Sequence, residues 1–534
     1  SAVSAVLPNS GQYGSRVVIS GTNLLGATHG THITTVQLAG VDAEIVVGTS
    51  QTEIVVIADH NGAIVVGDIF IEANSGAFVV LEDAWEYVQA FTVDQIVPAH
   101  GQLGTRVTVT GANLLGGGDA IVTVTLAGVA ADVISSTNSE VNVVANSGGL
   151  GSVSATAASG SSGSGSDSDS TQQLGDVVMT ADSGAIMSVS NGWTYKEASA
   201  VSNVQPSIGQ EGTRVVISGS RLRGHANAVV SVELAGVEAE ITSETDDTVL
   251  VVASAYAGSV QGSVTVTADS GAVVTLENSW IYGAPGAVAE VNPNFGHFGT
   301  RVTISGSNLR GHSSAIDTVN LGGVLATIST ETNTRIEVVA QVGPESKSVG
   351  DVIITSVSGA VITSENGWTH EGAGVISSVL PSSGQYGTAV VISGTNLCGG
   401  GTSLLSVNLG GVDVVIREEA SCAVIVCTAQ LSNSDARAVG DVVVTSDTGA
   451  VVTKVGGWTY LVESKITAVH PNAGVVGTLV TISGVNVLGG GSTGSVALNG
   501  HAATVTSAPA NEVVVVVTPG TGSPVPCPIG TYLP

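Results

Sequence analysis

One sequence pattern recurs six times along the 534-residue chain. Each copy reads P-x-x-G-x-x-G, continues into an alternating apolar run, and ends in G-x-N-L or a close variant. The copies begin at Pro8, Pro98, Pro206, Pro293, Pro381 and Pro471. A second landmark recurs in phase with the first, at Trp85, Trp193, Trp280, Trp368 and Trp458. Two landmarks that share one period indicate the duplication of a whole domain.

The period of about 90 residues suits a small β-sandwich with its own core and is too long for ankyrin or leucine-rich repeats. Within each period, short runs rich in Val, Ile and Thr are separated by Gly, Asn, Asp and Ser, and no run shows a helical stripe. We therefore expect an all-β chain. The predicted domains are residues 1–90, 91–198, 199–284, 285–372 and 373–462 for five complete repeats, 463–520 for an incomplete sixth repeat, and 521–534 for a tail.

The strands and turns of one repeat can be predicted from its first copy. The expected strands are Arg16–Ser20, Thr35–Leu38, Glu53–Ile57, Gly67–Glu72 and Ala77–Leu81. Asn74-Ser-Gly lies between the last two runs and predicts a hairpin turn, while Gly67-Asp68 is interpreted as a turn before a strand. The interval from each Trp to the next signature Pro is always 13 residues, so we expect short connectors and a regular array.

The recurring P-x-x-G-x-x-G-T-x-V-x-I-x-G-x-N-L signature resembles that of the IPT/TIG domain. The resemblance covers repeats one to five and the first part of repeat six. It implies a tandem array of immunoglobulin-like sandwiches, each with two antiparallel sheets packed face to face. Such domains occur in cell-surface receptors, in adhesive and fibre-forming extracellular proteins, and in some transcription factors, and the fold does not choose among these functions.

The charge balance argues against two classes of partner. The chain has 14 Lys and Arg against 43 Asp and Glu, a formal charge of −29, which would repel nucleic acid and anionic membrane surfaces. No apolar run approaches the roughly 20 residues of a membrane-spanning helix. The chain begins at Ser1 without a signal-like segment, and we interpret it as a mature or trimmed secreted product. The expected location is extracellular or at the cell surface.

The surface is expected to carry unusually little charge. Charged residues make up 11 % of the chain, against roughly 25 % in ordinary soluble domains, and the mean hydropathy is +0.41. Some outward faces are therefore expected to be covered by neighbouring protein or by glycans; alternatively, small side chains make an uncharged but hydrated surface. No N-x-S/T sequon is present, so any glycan would be O-linked. The candidate carrier is the Ser/Gly/Asp-rich insertion 158–171, at Ser161, Ser162, Ser164, Ser166 and Ser168.

Three of the four cysteines lie in repeat five. In the sandwich that the resemblance implies, Cys422 opens a strand that runs close to Cys398, and we expect a disulfide between them. The alternatives are three buried thiols, or a bridge from Cys398 to Cys427. A bridge between Cys422 and Cys427 is excluded because they would lie about 16 Å apart along an extended strand. Zinc is not expected because no Cys-x-x-Cys or nearby His pair is present.

Repeat six lacks the hairpin sequence and the Trp of the other repeats. A sandwich without its last two strands exposes unpaired backbone and an apolar groove. A strand from another chain could fill it, and head-to-tail repetition would produce a filament. The candidate interface is Val513, Val514, Val515, Val516 and Val517. Alternatively, residues after Pro534 complete the domain; in support, Cys527-Pro-Ile-Gly-Thr-Tyr532 resembles the opening of an ephrin-receptor-like cysteine-rich module.

Signals for catalysis are absent from the sequence. The ten His residues are scattered, and no H-E-x-x-H motif, G-x-S-x-G turn or Walker loop is present, so we expect no catalytic residue, metal or cofactor. An Arg recurs in the first four repeats but becomes Ala389 and Leu479 in the last two, which argues against a site in every repeat. The sequence predicts a secreted structural protein whose copies assemble into a filament; the alternative is an adhesin or receptor-like ectodomain that binds glycan or protein through its loops.

Overall fold

The computed structural model describes residues 1–26, 30–46, 49–148, 172–417, 420–432, 437–492 and 494–519. Every helix or strand assigned in these ranges is a β-strand, which confirms the all-β prediction. None of these residues forms a helix of the length and apolarity needed to cross a membrane. The strands divide into two compact units, residues 1–284 and 285–534. The first unit contains repeats one to three and the second contains repeats four to six.

The described residues of the first unit form 26 strands. Repeat one has β1 Ala2–Leu7, β2 Ser10–Gly11, β3 Arg16–Thr22, β4 Ile33–Leu38, β5 Val41–Asp42, β6 Glu44–Ile45, β7 Glu53–Ile57, β8 Val65–Ala73 and β9 Phe78–Tyr87. Repeat two has β10 Thr92–Val97, β11 His100–Gly101, β12 Arg106–Ala112, β13 Ile121–Leu126, β14 Val129–Ser136, β15 Glu140–Val144, β16 Gln173–Ala181 and β17 Ile186–Tyr195. Repeat three has β18 Ala200–Gln205, β19 Ile208–Gly209, β20 Arg214–Ser220, β21 Val229–Leu234, β22 Val237–Glu238, β23 Glu240–Glu244, β24 Thr248–Val252, β25 Val260–Ala268 and β26 Val273–Tyr282.

The second unit continues the same order of elements. Repeat four has β27 Ala287–Asn292, β28 Phe295–Gly296, β29 Arg301–Ser307, β30 Ile316–Leu321, β31 Val324–Glu331, β32 Arg335–Val339, β33 Ser348–Ser356 and β34 Val361–His370. Repeat five has β35 Val375–Leu380, β36 Ser383–Gly384, β37 Ala389–Thr395, β38 Leu404–Leu409, β39 Val412–Asp413, β40 Val415–Ile416, β41 Val424–Thr428, β42 Ala438–Ser446 and β43 Val451–Tyr460. Repeat six has β44 Lys465–His470, β45 Leu479–Val485, β46 Val496–Leu498, β47 His501–Ser507 and β48 Glu512–Val517.

Repeat one shows how the apolar pattern produces a sandwich. One sheet has the order β1-β3-β7-β6 and the other β2-β9-β8-β4-β5. In β7, the continuous apolar run Ile54–Ile57 alternates in burial. Ile54 and Val56 are buried, whereas Val55 and Ile57 are partly exposed. Because side chains alternate across a strand, half of the run faces the opposite sheet and the other half faces outward. Repeats three and five have the same two strand orders.

An aromatic pair fills the centre of each complete sandwich. In repeat two, Trp193 and Tyr195 are fully buried and meet edge to face, with their ring centroids 5.6 Å apart. Such a pair stabilises the core beyond the area that it buries. In repeat four, His370 replaces the Tyr; it packs edge-on against Trp368, and its Nε2 lies 2.8 Å from the Leu321 carbonyl oxygen.

The prediction that Gly67-Asp68 forms a turn before a strand is wrong. Both residues lie inside β8, where the pairing with β9 shifts register between Gly67 and Ile69. Asp68 Oδ1 accepts a hydrogen bond of 2.9 Å from the backbone N–H of Asp83, whose φ is 49°. A bulge leaves a backbone donor outside the ladder, and the carboxylate satisfies it. The same contact recurs at Asp176, Asp351 and Asp441.

Repeat six differs from the others within residues 463–519. Its strands form one sheet in the order β44-β45-β48-β47-β46. Four of its apolar residues are buried: Val480, Ile482, Val513 and Val515. The counterparts of β8 and β9 are not among the described residues of this repeat.

We expect the alternation in β20 to be visible in folding energetics. Ile217 is fully buried in repeat three, whereas its neighbour Val216 is 38 % exposed. Ile217→Ala should lower the free energy of unfolding of this repeat by about 2–5 kcal/mol, because it leaves a cavity between the sheets. Hydrogen exchange of the repeat-three amides at increasing urea concentration measures the change, because it separates this repeat from the others. Val216→Ala is the matched control, and an equal loss in both variants would contradict the assigned strand orientation.

Candidate functional site: the junctions between consecutive repeats

The signature turn of one repeat pairs with the hairpin of the next. In the first unit, the backbone N–H of Arg16 donates to the Ser183 carbonyl at 2.9 Å, and that of Ile186 donates to the Tyr13 carbonyl at 3.3 Å. Ser183 belongs to the hairpin turn between β16 and β17, so the two bonds join repeat one to repeat two. Both bonds are between main-chain groups, so the pairing does not depend on which side chains the turn carries.

The same pair of hydrogen bonds recurs at two further junctions. Between repeats two and three, Arg106 N–H donates to the Ser270 carbonyl at 2.8 Å, and Val273 N–H donates to the Leu103 carbonyl at 3.0 Å. Inside the second unit, repeats four and five are joined by Arg301 N–H to the Thr448 carbonyl and Val451 N–H to the Phe298 carbonyl, both at 2.9 Å. The spatial relation between neighbouring repeats is thus reproduced by equivalent backbone atoms.

Glycine is required where the turn and the hairpin touch. Gly14 has a φ of 85°, and a Cβ at this position would lie 2.8 Å from the Ile186 backbone nitrogen. Gly184 in the opposing hairpin has a φ of 82°, and its Cβ would lie 2.9 Å from that of Arg16. Both conformations are unfavourable for other residues, and both approaches are too close for a side chain. The signature and hairpin glycines therefore serve the junction as well as the turns.

In repeats one, two and five a glutamine connects the turn to the linker that follows the same repeat; this glutamine is buried in repeats one and two and partly buried in repeat five. Gln102 is 4 % exposed; its Oε1 accepts from Ser199 N–H at 2.6 Å, and its Nε2 donates to Ser199 Oγ at 2.8 Å. Gln385 makes the same two bonds to Ser464, each of 2.8 Å. Gln12 Oε1 accepts from Phe91 N–H at 2.9 Å. Because a buried amide that loses its partner is costly, these bonds restrict the linker to one path.

Repeat four replaces this glutamine by His297 and the linker serine by Gly374. His297 is 5 % exposed, and its Nδ1 lies 3.1 Å from the Phe298 carbonyl oxygen. The carbonyls of Phe298 and Asn396 and the carboxylate of Glu371 favour the charged ring, but burial outweighs them and lowers the pKa of His297. Glu371 is itself paired with Lys347 at 2.7 Å. This junction therefore contains a titratable group that is neutral when buried.

The junction between repeats five and six has the linker contact without the hairpin contact. A Cβ on Gly387 would meet no atom within 4 Å, in contrast to Gly14. Ala389 stands where Arg16 does in repeat one. In repeat six, Val475 replaces the glutamine and is 78 % exposed. The sequence signal that could have identified the junctions is the joint loss of the Arg in repeat five and of the hairpin in repeat six.

The predicted site residues lie at separate places in the second unit. Cys398 and Cys422 form a disulfide with their Cα atoms 5.1 Å apart, which is the pairing that the resemblance implies, and Cys427 is buried and unbridged. The run Val513–Val517 forms β48, which lies between β45 and β47. Its backbone is therefore paired on both sides, and only its side-chain face remains for an interface. The serines of the 158–171 insertion and the Cys527 motif lie outside the described residues.

Neither a metal site nor a catalytic constellation emerges from the described residues. Within these ranges, no group of three or more His, Cys, Asp or Glu side chains is arranged to hold a metal ion. Buried His370 serves the core of repeat four. The arginines that we did not expect to form a site do contribute to the junctions, through the backbone N–H of Arg16, Arg106 and Arg301.

Comparison with protein families identifies the repeating unit. The family model described as the IPT/TIG domain matches residues 92–172, 199–280, 287–368, 375–459 and 464–532. These segments together cover most of the chain. Repeat one lies outside them but has the same strand order as repeats three and five. None of the curated proteins compared with the chain is significantly similar to it.

The solved structures that match the chain are distant from it in sequence. The plexin A4 extracellular region is 13 % identical, with 97 % of this chain and 54 % of the plexin chain covered and a TM-score of 0.29. The eight N-terminal Ig domains of Down syndrome cell adhesion molecule are 11 % identical, with 96 % and 81 % covered and a TM-score of 0.20. The glucan-utilization protein SGBP-B of Bacteroides ovatus is 16 % identical, with 51 % and 69 % covered and a TM-score of 0.16. The chain spans just over half the length of the plexin region.

We expect Gln102 to stabilise the junction that it supports. Gln102→Ala should leave the Ser199 N–H without its buried acceptor and weaken the contact between repeats two and three by about 1–3 kcal/mol. Hydrogen exchange of the Arg106 and Val273 amides, which donate across this junction, should accelerate. Leu103→Ala is the control, because the Leu103 side chain is exposed and its contribution to the junction is a backbone carbonyl. Unchanged exchange in Gln102→Ala would contradict this role.

The junction between repeats four and five should weaken in acid. The pKa of His297 is lowered in the closed junction and returns to about 6.5 when the ring is exposed. When the junction opens below about pH 6.5, the exposed His297 ring takes up a proton. The closed junction is therefore fully stable above that pH, and it loses stability as the pH falls towards the lowered pKa. Exchange of the Val451 and Arg301 amides, corrected for intrinsic rates, should accelerate on going from pH 7.5 to 5.5.

The control for this pH effect is His297→Gln, which places at the junction the glutamine that repeats one, two, three and five carry and that does not titrate. This variant should remove the additional acid dependence of exchange at Val451. If exchange at Val451 depends on pH equally in His297→Gln and in the unmodified protein, His297 is not the cause.

Proposed function

Because the chain belongs to the IPT/TIG domain family, we propose that it is an extracellular structural protein whose paired junctions hold neighbouring domains in one orientation. The observation that carries this proposal is the recurrence of one backbone pairing at the three junctions described above. A structural array needs a repeated and reproducible step between domains, and hydrogen bonds between equivalent backbone atoms supply it. No catalytic step is part of the proposal.

The stiffness of the three paired junctions follows from the number of their constraints. Two backbone bonds connect the turn to the hairpin, and a buried glutamine or histidine meets the linker from the other side. A hinge motion would have to break both sets and expose a buried polar group, which is unfavourable. This differs from arrays in which polar linkers leave the domains free to reorient.

We further propose that copies of the chain assemble into a filament or surface appendage through repeat six. This repeat presents one sheet and several exposed apolar side chains, among them Ile466, Val476 and Leu479. Exposed apolar surface of this kind is typical of interfaces between proteins. Because β48 is already paired on both sides, the added element would pack against the face of the sheet or extend it at β44 or β46. O-linked glycans on the serine-rich insertion would cover a second part of the chain.

A second candidate function is that of an adhesin or receptor-like ectodomain. It is favoured by an open cleft at the first junction, beside the exposed side chain of Tyr13. Binding at such a cleft is compatible with a structural role, because a structural array can also present binding sites on its domains.

Assembly can be tested by electron microscopy of the purified protein at physiological salt. We expect filaments, and we expect Leu479→Lys to shorten or abolish them, because a charge placed in an apolar interface remains unpaired on assembly. The control is Val455→Lys, at an exposed position in repeat five. Discrete particles from the unmodified protein would count against polymerisation, and equal filaments from both variants would place the interface away from Leu479.

A further inference from the structure

An open cleft lies at the junction between repeats one and two, within the first unit. Its volume is about 500 Å³, which is within the range of pockets that hold small ligands. Repeat one contributes Tyr13, Arg16, Glu44 and Asp59 to the lining, and repeat two contributes the hairpin residue Ile186. The cleft therefore exists only because the two domains are held together.

An aromatic platform forms one side of the cleft. Tyr13 is 41 % exposed and stacks on the exposed ring of His60, with the ring centroids 3.8 Å apart and the planes 6° from parallel. The Tyr13 carbonyl accepts the hydrogen bond from Ile186, so the backbone of the platform is fixed by the junction. A rigid aromatic surface loses little conformational entropy when a ligand packs on it.

The polar groups of the cleft have few partners in the protein. The side chains of Arg16 and Glu44 form no ion pair or hydrogen bond with any described residue, and Asp59 Oδ1 accepts only from the adjacent His60 N–H, at 2.7 Å. They offer donors and acceptors close to an aromatic face. This combination of a hydrophobic platform and a few polar groups is typical of a ligand site.

The fold does not require Tyr13, Asp59 or His60. Repeat two has the same sandwich and the same kind of junction, yet Leu103, Asn146 and Ser147 stand where repeat one has Tyr13, Asp59 and His60. Three changes at two separate places in the sequence therefore converge on one cleft of one repeat. Packing and pairing do not account for them, whereas recognition of a ligand does.

We propose that this cleft binds a neutral oligosaccharide. A sugar ring has an apolar C–H face that packs on the Tyr13 ring, and hydroxyl groups that donate to Glu44 and Asp59 and accept from Arg16. Two carboxylates against one guanidinium, on a chain of formal charge −29, disfavour sulfated or uronate-rich glycans. The cleft is large enough for a few sugar units. This inference does not rest on filament formation.

Binding is tested by calorimetric titration of the full chain with cellohexaose, mannohexaose and xylohexaose as neutral probes and a heparin hexasaccharide as the anionic probe. We expect at least one neutral probe to bind, and the heparin probe not to bind. Tyr13→Ala should weaken binding by about tenfold or more, since an aromatic anchor at the centre of a site contributes over 1 kcal/mol. His60→Ala and Glu44→Gln should each weaken it in the same direction.

The matched control is Tyr386→Ala, at the equivalent position in repeat five, where Gly387 meets no hairpin. It should leave the affinity unchanged. Tryptophan fluorescence verifies that each variant is folded. The proposal is overturned if no neutral probe binds at millimolar concentration, if only the heparin probe binds, or if Tyr13→Ala and Tyr386→Ala have equal effects.

Discussion

Two backbone hydrogen bonds between the signature turn of one repeat and the hairpin of the next are the constraint on which the array depends. Because the donors and acceptors are main-chain groups, the bonds require a backbone path and glycine at the points of contact, and they tolerate varied side chains. Tyr13, Leu103 and Phe298 occupy equivalent positions and make the same carbonyl contact. The same junction geometry can therefore have a different exposed side chain at each junction. The backbone of the signature holds the domains together, whereas its side chains are free to vary.

The residue that meets the linker determines how each junction responds to its surroundings. A glutamine satisfies the linker at any pH, whereas His297 introduces a proton-dependent step between repeats four and five. In repeat six the position is occupied by the exposed Val475, which cannot form such a contact. The position after the signature's first Gly is thus a glutamine in repeats one, two, three and five, a titratable histidine in repeat four and a valine in repeat six. These differences lie outside the cores of the sandwiches.

Much of the fold could be predicted from the sequence because periodicity and turn chemistry are local signals. The run Glu53–Ile57 coincides with β7, and Phe78–Tyr87 extends the strand expected at Ala77–Leu81. The role of Asp68 could not be predicted, because Gly-Asp is as common in turns as in bulges and only the partner strand distinguishes them. The junctions were missed for a similar reason: backbone pairing between domains leaves no side-chain pattern. Only the joint absence of Arg and hairpin in the last repeats carried that information.

The first junction also shows how duplication can create a site that a single domain lacks. A lone sandwich would present Tyr13, Arg16 and Asp59 on an open surface with a single wall. Docking of the Gly184 hairpin supplies a second wall and adds two backbone hydrogen bonds to those that already hold the turn within repeat one, so the cleft is shaped during folding rather than during binding. In an array built this way, rigid junctions and ligand binding can depend on the same contacts. The contacts that fix the step between domains also preorganise the cleft, so a change that loosens a junction will weaken any binding that depends on it.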